Sequence, residues 1–380
     1  MTLKILRLFL FFLLISASIN AYAGAREQAY RMHGRITGVP PSSVDLNNMA
    51  NLIQTGNPEG AANVAMNHKN FYNSTLKNWA SRWTNVDQTP RVDLNDYSAT
   101  VIGMIRDDIP FDQVLYGNIL YSSGTVTGIT ITPYASNNND HYKDLDENNV
   151  DLKENLIQRV QSTINGISDT AGVLTTRAAG EAFYSAGTNR RVGRFAFMNF
   201  LCRDYEALHD INLTDYHVRR DVDRAPGGDS RTFKNTCVGC HAGQDALADA
   251  FSYFDFVDDE LVHTPGTIPN KINENILFAD GFVTTTDSWV NLWVTGQNAN
   301  LGWRGDQSGN GIKSYGTMLS SSRAFSDCMA NQVYKLICLK RVETEAEKAM
   351  LESLVNDFEG AGNYNMKRLI GKTAAQCMGN

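Results

Sequence analysis

Apolar residues recur with a helical period over much of the chain. Leu46, Met49 and Ile53 share one face, with Asp45 placed as a cap. Leu94, Tyr97, Val101 and Met104 repeat the pattern after Asp93, and a further run over residues 111–120 follows Pro110. Together they predict an N-terminal helical region over residues 24–134. The pattern changes over residues 122–134, where Val126, Ile129 and Ile131 stand among Thr and Gly and predict a short hairpin or strand. Residues 136–149, rich in Asn and Asp, predict a surface loop.

Helices are predicted again over residues 152–164 and, strongly apolar, 192–202. Residues 219–235 are polar, are punctuated by Pro226-Gly227-Gly228, and are expected to wrap the surface. Three helices close the chain, over 325–339, 344–358 and 365–378. Thr344 and Glu347 have capping-box spacing, and Met350, Leu354 and Phe358 form the core stripe of the helix they open. There is no internal repeat. The pattern predicts a mainly α, multi-helical fold with a small β element, organised as 24–134, a middle region 135–300 and a C-terminal helical region 301–380.

Residues 1–23 read as a secretory leader. Lys4 and Arg7 precede an apolar run that breaks at Ser16, and Ala21-Tyr22-Ala23 supplies a small-x-small cleavage site. The run is well short of the roughly 20 residues a bilayer span needs. The first cysteine is Cys202, which excludes a lipid anchor at the cleavage point. The expectation is a soluble periplasmic protein, with no membrane span after cleavage, in a compartment that permits disulfides.

Composition narrows the classes. With 42% hydrophobic and 20% charged residues in 380, the chain is ordinary globular protein, of one large or two to three small domains. Its net charge is −7, more acidic still without Lys4 and Arg7, so nucleic acid and anionic lipid are not expected partners. Seventeen Phe, fifteen Tyr and five Trp along the whole length exclude low-complexity disorder.

One motif carries sharp chemistry. Cys237-Val238-Gly239-Cys240-His241 is Cys-x-x-Cys-His, the attachment signature of haem c. Two cysteines at this spacing reach the two vinyl groups of one porphyrin, and the next residue brings its imidazole to the iron. Other readings exist. A structural zinc needs four ligands, and no second Cys-x-x-Cys or His-x-x-x-His is present. A thioredoxin-like pair needs a βαβ context, whereas the flanks here are polar loop and helix. A plain disulfide makes the adjacent histidine a coincidence. The motif occurs once, against a di-haem architecture.

Beyond the motif, residues 245–255 resemble the Asp-Pro-Leu-Gly-Phe-x-x-Glu-x-Phe-Asp stretch of planctomycete-type cytochrome c proteins, whose function is uncharacterised. Asp245, Leu247, Phe254 and Asp255 agree; Ala246, Ala248, Asp249 and Ser252 depart, and Gln244 stands where that family carries Met. Upstream, residues 107–112, 171–175 and Arg190-Arg191-Val192-Gly193-Arg194 are similar to further short stretches of the family, as are the helices after Ser320. The resemblance spans about residues 94–380 and implies architecture and haem, not substrate.

The remaining cysteines form an even set: Cys202, Cys328, Cys338 and Cys377. If 325–339 is one helix, Cys328 and Cys338 stand about 15 Å apart along it, beyond the reach of a disulfide. Cys338 with Cys377 and Cys202 with Cys328 is the expected pairing, with buried free thiols as the alternative. A distal iron ligand is least determined. Met329 is ranked first because it neighbours Cys328, followed by Met318 and Met198; His209, His217 and His263 are further candidates. Trp289, Trp293 and Trp303 predict an aromatic cluster in the core or at a porphyrin edge. Residues 306–311 imitate half of an EF-hand loop, but Thr317 occupies the place of its last Glu, so a Gly-rich turn is the simpler reading.

The function expected is an exported mono-haem c-type cytochrome that passes single electrons to or from a redox partner protein. Cys237 and Cys240 hold the porphyrin and His241 ligates iron. The alternatives are a haem enzyme with an open distal site, using peroxide or oxygen, and a non-catalytic binding scaffold that the haem stabilises.

Overall fold

The computed structural model describes residues 23–379. The leader expectation therefore falls, but for Ala23, outside the described residues. Helices α1 (Ala25–Thr37), α2 (Ser43–Gln54) and α3 (Pro58–Met66) pack on one another at the N-terminus. The cap of α2 is Ser42, not Asp45: the Asp45 N–H donates to Ser42 Oγ at 3.1 Å, which leaves Asp45 inside the first turn. Helix α4 (Asp96–Arg106) starts at an Asn95–Ser98 capping box and is buried from Asp96 to Ile105, so it runs through the middle of the core.

Two predicted helices give way to a ladder. Residues 111–120 form a tight turn, Phe111–Leu115, and then strand β1 (Ile119–Ser123). Residues 136–149 are not a loop: Asp140–Glu147 is helix α5, which buries His141, Tyr142 and Leu145. Tyr142 donates to the Tyr121 carbonyl at 2.7 Å, and the Ser123 N–H donates to His141 Nε2 at 3.0 Å, so α5 clamps the end of β1. Residues 152–164 break into a short turn, strand β2 (Leu156–Val160) and a second short turn. β2 pairs antiparallel with β1, Tyr121 opposite Gln158. The short hairpin or strand expected over 122–134 is met only by the end of β1 at Ser123 and a single bridge, Val126 with Ile129.

The apolar segment at 192–202 is helical as expected: α6 (Arg190–Ala196) continues as a wider turn, Phe197–Leu201. Residues 219–235 do more than wrap the surface. Arg219 is buried, and Val218, Val222 and Phe233 build a small second core with Val238 and Ala242. This small core rests on helix α7 (Val238–Ala248). Two further antiparallel pairs follow: β3 (Phe254–Val257) with β4 (Glu260–His263), and β5 (Ser288–Val290) with β6 (Ser308–Asn310). The latter absorbs the EF-hand-like stretch into a strand.

Helices α8 (Gly311–Ser321), α9 (Arg323–Cys338), α10 (Glu345–Glu359) and α11 (Met366–Gln376) complete the chain. The Thr344–Glu347 capping box is formed; Leu354 and Phe358 are buried and Met350 is half-buried. α11 packs back on α3, and Arg31 Nη1 donates to the Met378 carbonyl at 2.8 Å, so both ends of the described chain share one layer. The large core runs from Ala29 to Ala374. Both expected disulfides are present. Cys202–Cys328 ties the end of the 197–201 turn to α9, and Cys338–Cys377 ties α9 to the end of α11, with Cα atoms 5.3 and 5.4 Å apart. The fold is thus mainly helical with small antiparallel pairs, and no described helix is long and apolar enough to cross a membrane.

Candidate functional site

The Cys-x-x-Cys-His motif lies across the junction of a wide turn, Phe233–Cys237, and α7. At 3.6 residues per turn, Cys237, Cys240, His241 and Gln244 fall within an arc of about 100°. These four are half-buried, whereas Val238, Gly239, Ala242, Gly243 and residues 245–248 are buried. The motif therefore occupies the only open stripe of its helix.

The opposite side is packed tight because it is small. A Cβ at Gly239 would lie 2.5 Å from the His209 ring, and one at Gly243 would overlap the Trp293 indole. Trp293 is fully buried against Phe197 and Tyr205, at ring separations of 5.5 and 5.0 Å, and its carbonyl accepts from Trp303 Nε1. The tryptophan cluster is core, on the far side of α7 from the stripe. Trp289 stands apart from Trp293, edge-on to Tyr315.

Cys237 and Cys240 are free thiols, although the other four cysteines are paired. Burial, with the Glu206 and Asp204 carboxylates, pushes the Cys240 thiol up. A redox thiolate needs the opposite. Among the described residues no group of three or more Cys, His, Asp or Glu side chains is disposed to hold a metal ion.

His241 is held from behind. Its Nδ1 lies 3.4 Å from Oδ1 of Asp245, one turn along α7 and fully buried. Arg190 donates to Asp245 through Nε at 2.5 Å and Nη2 at 2.9 Å, and the Arg219 N–H adds a bond of 3.0 Å. Arg190 also forks onto Asp221, at 2.6 and 2.7 Å. Burial pushes the Asp245 carboxyl up, but Arg190 and the hydrogen bond from His241 outweigh it and hold the group well below the usual carboxylate range. An ionised carboxylate only accepts, so a His241 imidazole bonded to it carries its proton on Nδ1 and keeps the Nε2 lone pair free. The Gln244 amide nitrogen lies 3.1 Å from the same Nδ1, and turning the amide over brings its oxygen to that proton. Two free thiols on one open stripe, beside a histidine oriented to ligate through Nε2, suit a covalently held haem.

Beside this network, Arg219 Nη2 and Thr284 Oγ1 each donate to Asp249 at 2.8 Å. The candidate distal residues are placed elsewhere. His209 packs on Gly239, with Nε2 3.0 Å from the Thr236 carbonyl. His217 lies 3.5 Å from Asp249 and packs on Phe282. His263 stacks on Phe254 at 4.4 Å and meets Ser168. Met318 is buried with its sulfur 3.7 Å from Asn291 Nδ2. Met329 is fully enclosed in the large core, on α9, which packs on the 197–201 turn, α10 and α11. Met198 is exposed, one turn beyond Arg194.

Sequence reasoning placed the motif but not its support. Arg190 and Asp245 stood out only as parts of two stretches that resemble one family, and Asp221 carried no signal. Comparison with protein-family models, curated proteins and solved structures finds no match to this chain.

Proposed function

We propose that this protein is an exported mono-haem c-type cytochrome that passes single electrons to or from a partner protein. The observation that carries the reading is the open stripe of α7: Cys237, Cys240 and His241 side by side, with the Asp245 carboxylate behind the histidine ring. Cys237 and Cys240 would hold the porphyrin through two thioethers, and His241 would ligate iron through Nε2. Bound iron would supply the one-electron chemistry. The leader-like first 23 residues and the two disulfides favour the periplasm, where such attachment is made. The resemblance to planctomycete-type cytochrome c proteins agrees with the reading and leaves the partner open.

The test is expression of the full chain with haem-attachment machinery, followed by mass analysis after denaturation and acid extraction. The wild type retains haem; Cys237→Ala with Cys240→Ala loses it. A wild type without covalent haem overturns the proposal.

One observation favours a second reading, a haem enzyme with an open distal site using peroxide or oxygen. His209, His217, His263, Met318 and Met329 are each engaged away from the stripe. A high-spin spectrum that changes on adding cyanide or carbon monoxide supports it; a low-spin, six-coordinate spectrum supports the carrier.

A further inference from the structure

We infer that Asp245 is a positioning residue that makes His241 an unusually strong electron donor to its iron, and so holds the haem at a low reduction potential, with Asp221 and Arg190 setting how much negative charge reaches it. The inference rests on the haem reading and deepens it.

The Nδ1 proton of an iron-bound histidine goes to some acceptor, and the acceptor decides the basicity of the ring. A neutral carbonyl draws weakly on it. Here Nδ1 faces the fully buried Asp245 carboxylate at 3.4 Å with the neutral Gln244 amide at 3.1 Å beside it, and low local dielectric makes the carboxylate the stronger pull on the proton. Drawing that proton away shifts charge to Nε2 and favours the ferric state, which carries one more positive charge than the ferrous.

Arg190 does not cancel this charge. Its guanidinium is shared between Asp245 and Asp221, so the three side chains together carry one net negative charge. Arg219 gives Asp245 only its backbone N–H, because its own guanidinium pairs with Asp249. Arg224 is turned to the carbonyls of Val222 and Val218 and stacks on Phe233 and Phe278, at 4.6 and 4.9 Å. Arg224 nevertheless keeps its charge near Asp221 and Asp245, so the wider cluster is close to neutral, and what faces His241 is the carboxylate of Asp245, the fully buried member of the network.

The experiment uses the full chain with covalently attached haem, in wild type, Asp245→Asn and Asp221→Asn. Mass analysis first establishes that haem is attached. The midpoint potential is then measured by spectroelectrochemistry, and the iron–histidine stretch by resonance Raman of ferrous protein brought to the five-coordinate state. Asp245→Asn is expected to shift the reduction equilibrium at least tenfold toward ferrous, about 59 mV for one electron, and to lower the stretching frequency. Asp221→Asn removes charge without touching His241, so it raises the potential by less and leaves the stretch in place. Attached haem with an unchanged potential and stretch in Asp245→Asn overturns the inference while the haem reading stands. If Asp245→Asn does not fold, Asp221→Asn decides, and an unchanged potential there overturns it. Absence of haem from the wild type overturns both.

Discussion

Arg190 meets Asp245 through two of its nitrogens although 55 residues separate them, and with its other edge it forks onto Asp221. The first residue of α6, the middle of α7 and the 219–235 segment are thereby pinned at one point. Removing the guanidinium leaves two acids facing each other, one of them fully buried. Arg190→Ala is expected to cost about 3–5 kcal/mol in chemical denaturation. Arg190→Lys should recover only part, because an ammonium cannot fork onto two carboxylates. A loss under about 1 kcal/mol in the alanine variant contradicts the network.

The two disulfides close loops of different length, with sequence separations of 126 and 39. Chain entropy then favours the longer by about 1 kcal/mol, within a range of about 2–5 kcal/mol for either. Cys202→Ser with Cys328→Ser should destabilise more than Cys338→Ser with Cys377→Ser. Non-reducing peptide mapping checks the pairing itself: a Cys328–Cys338 peptide contradicts α9 as well as the pairing.

The last three helices of the fold were legible because they are amphipathic and capped by their own residues. Thr344 with Glu347, and Leu354 with Phe358, state α10 in the sequence alone. The spacing of Cys328 and Cys338 on α9 excluded one of three pairings. β1 and β2 were hidden for the opposite reason. Ile119 to Ser123 are all buried, so no alternation marks them, and their ladder partners lie about forty residues on. Tertiary pairing overrode local propensity there. α5 was masked by the Asn-rich residues on either side of it and its own acidic solvent face, although Tyr142 and Leu145 are one turn apart. At the site, covalent chemistry leaves a fixed spacing that can be read, whereas a charge network is made by folding and cannot. Asp221 is one acid among many until Arg190 reaches it.

Asp357 on α10 accepts from Arg368 at 2.7 and 2.9 Å and from Lys372 at 2.9 Å, both on α11. The Arg368 hydrogen bonds, aided by those of Lys372, hold its carboxyl down at about 2, against an ordinary 3.8. The folded value lies below the unfolded one. The stability it contributes is therefore present above about pH 4 and is lost as pH falls from there toward 2. Asp357→Asn should be less stable than wild type at pH 6 and lose less on acidification between pH 4 and pH 2. Parallel acid curves for the two proteins count against the contact.

Met329 separates packing from ligation. It is fully enclosed on α9, next to Cys328, which the disulfide ties to Cys202. A buried methionine cut to alanine leaves a cavity, so Met329→Ala should lose about 2–5 kcal/mol. Met329 is packed inside the large core on a helix that lies against the 197–201 turn, α10 and α11, whereas the motif occupies the open stripe of α7. The expected outcome is therefore a less stable protein whose attached haem keeps the wild-type absorption spectrum, oxidised and reduced. Loss of a methionine–iron charge-transfer band in Met329→Ala, with that band present in the wild type, assigns the distal position to Met329 instead. That result would exclude the open-site reading.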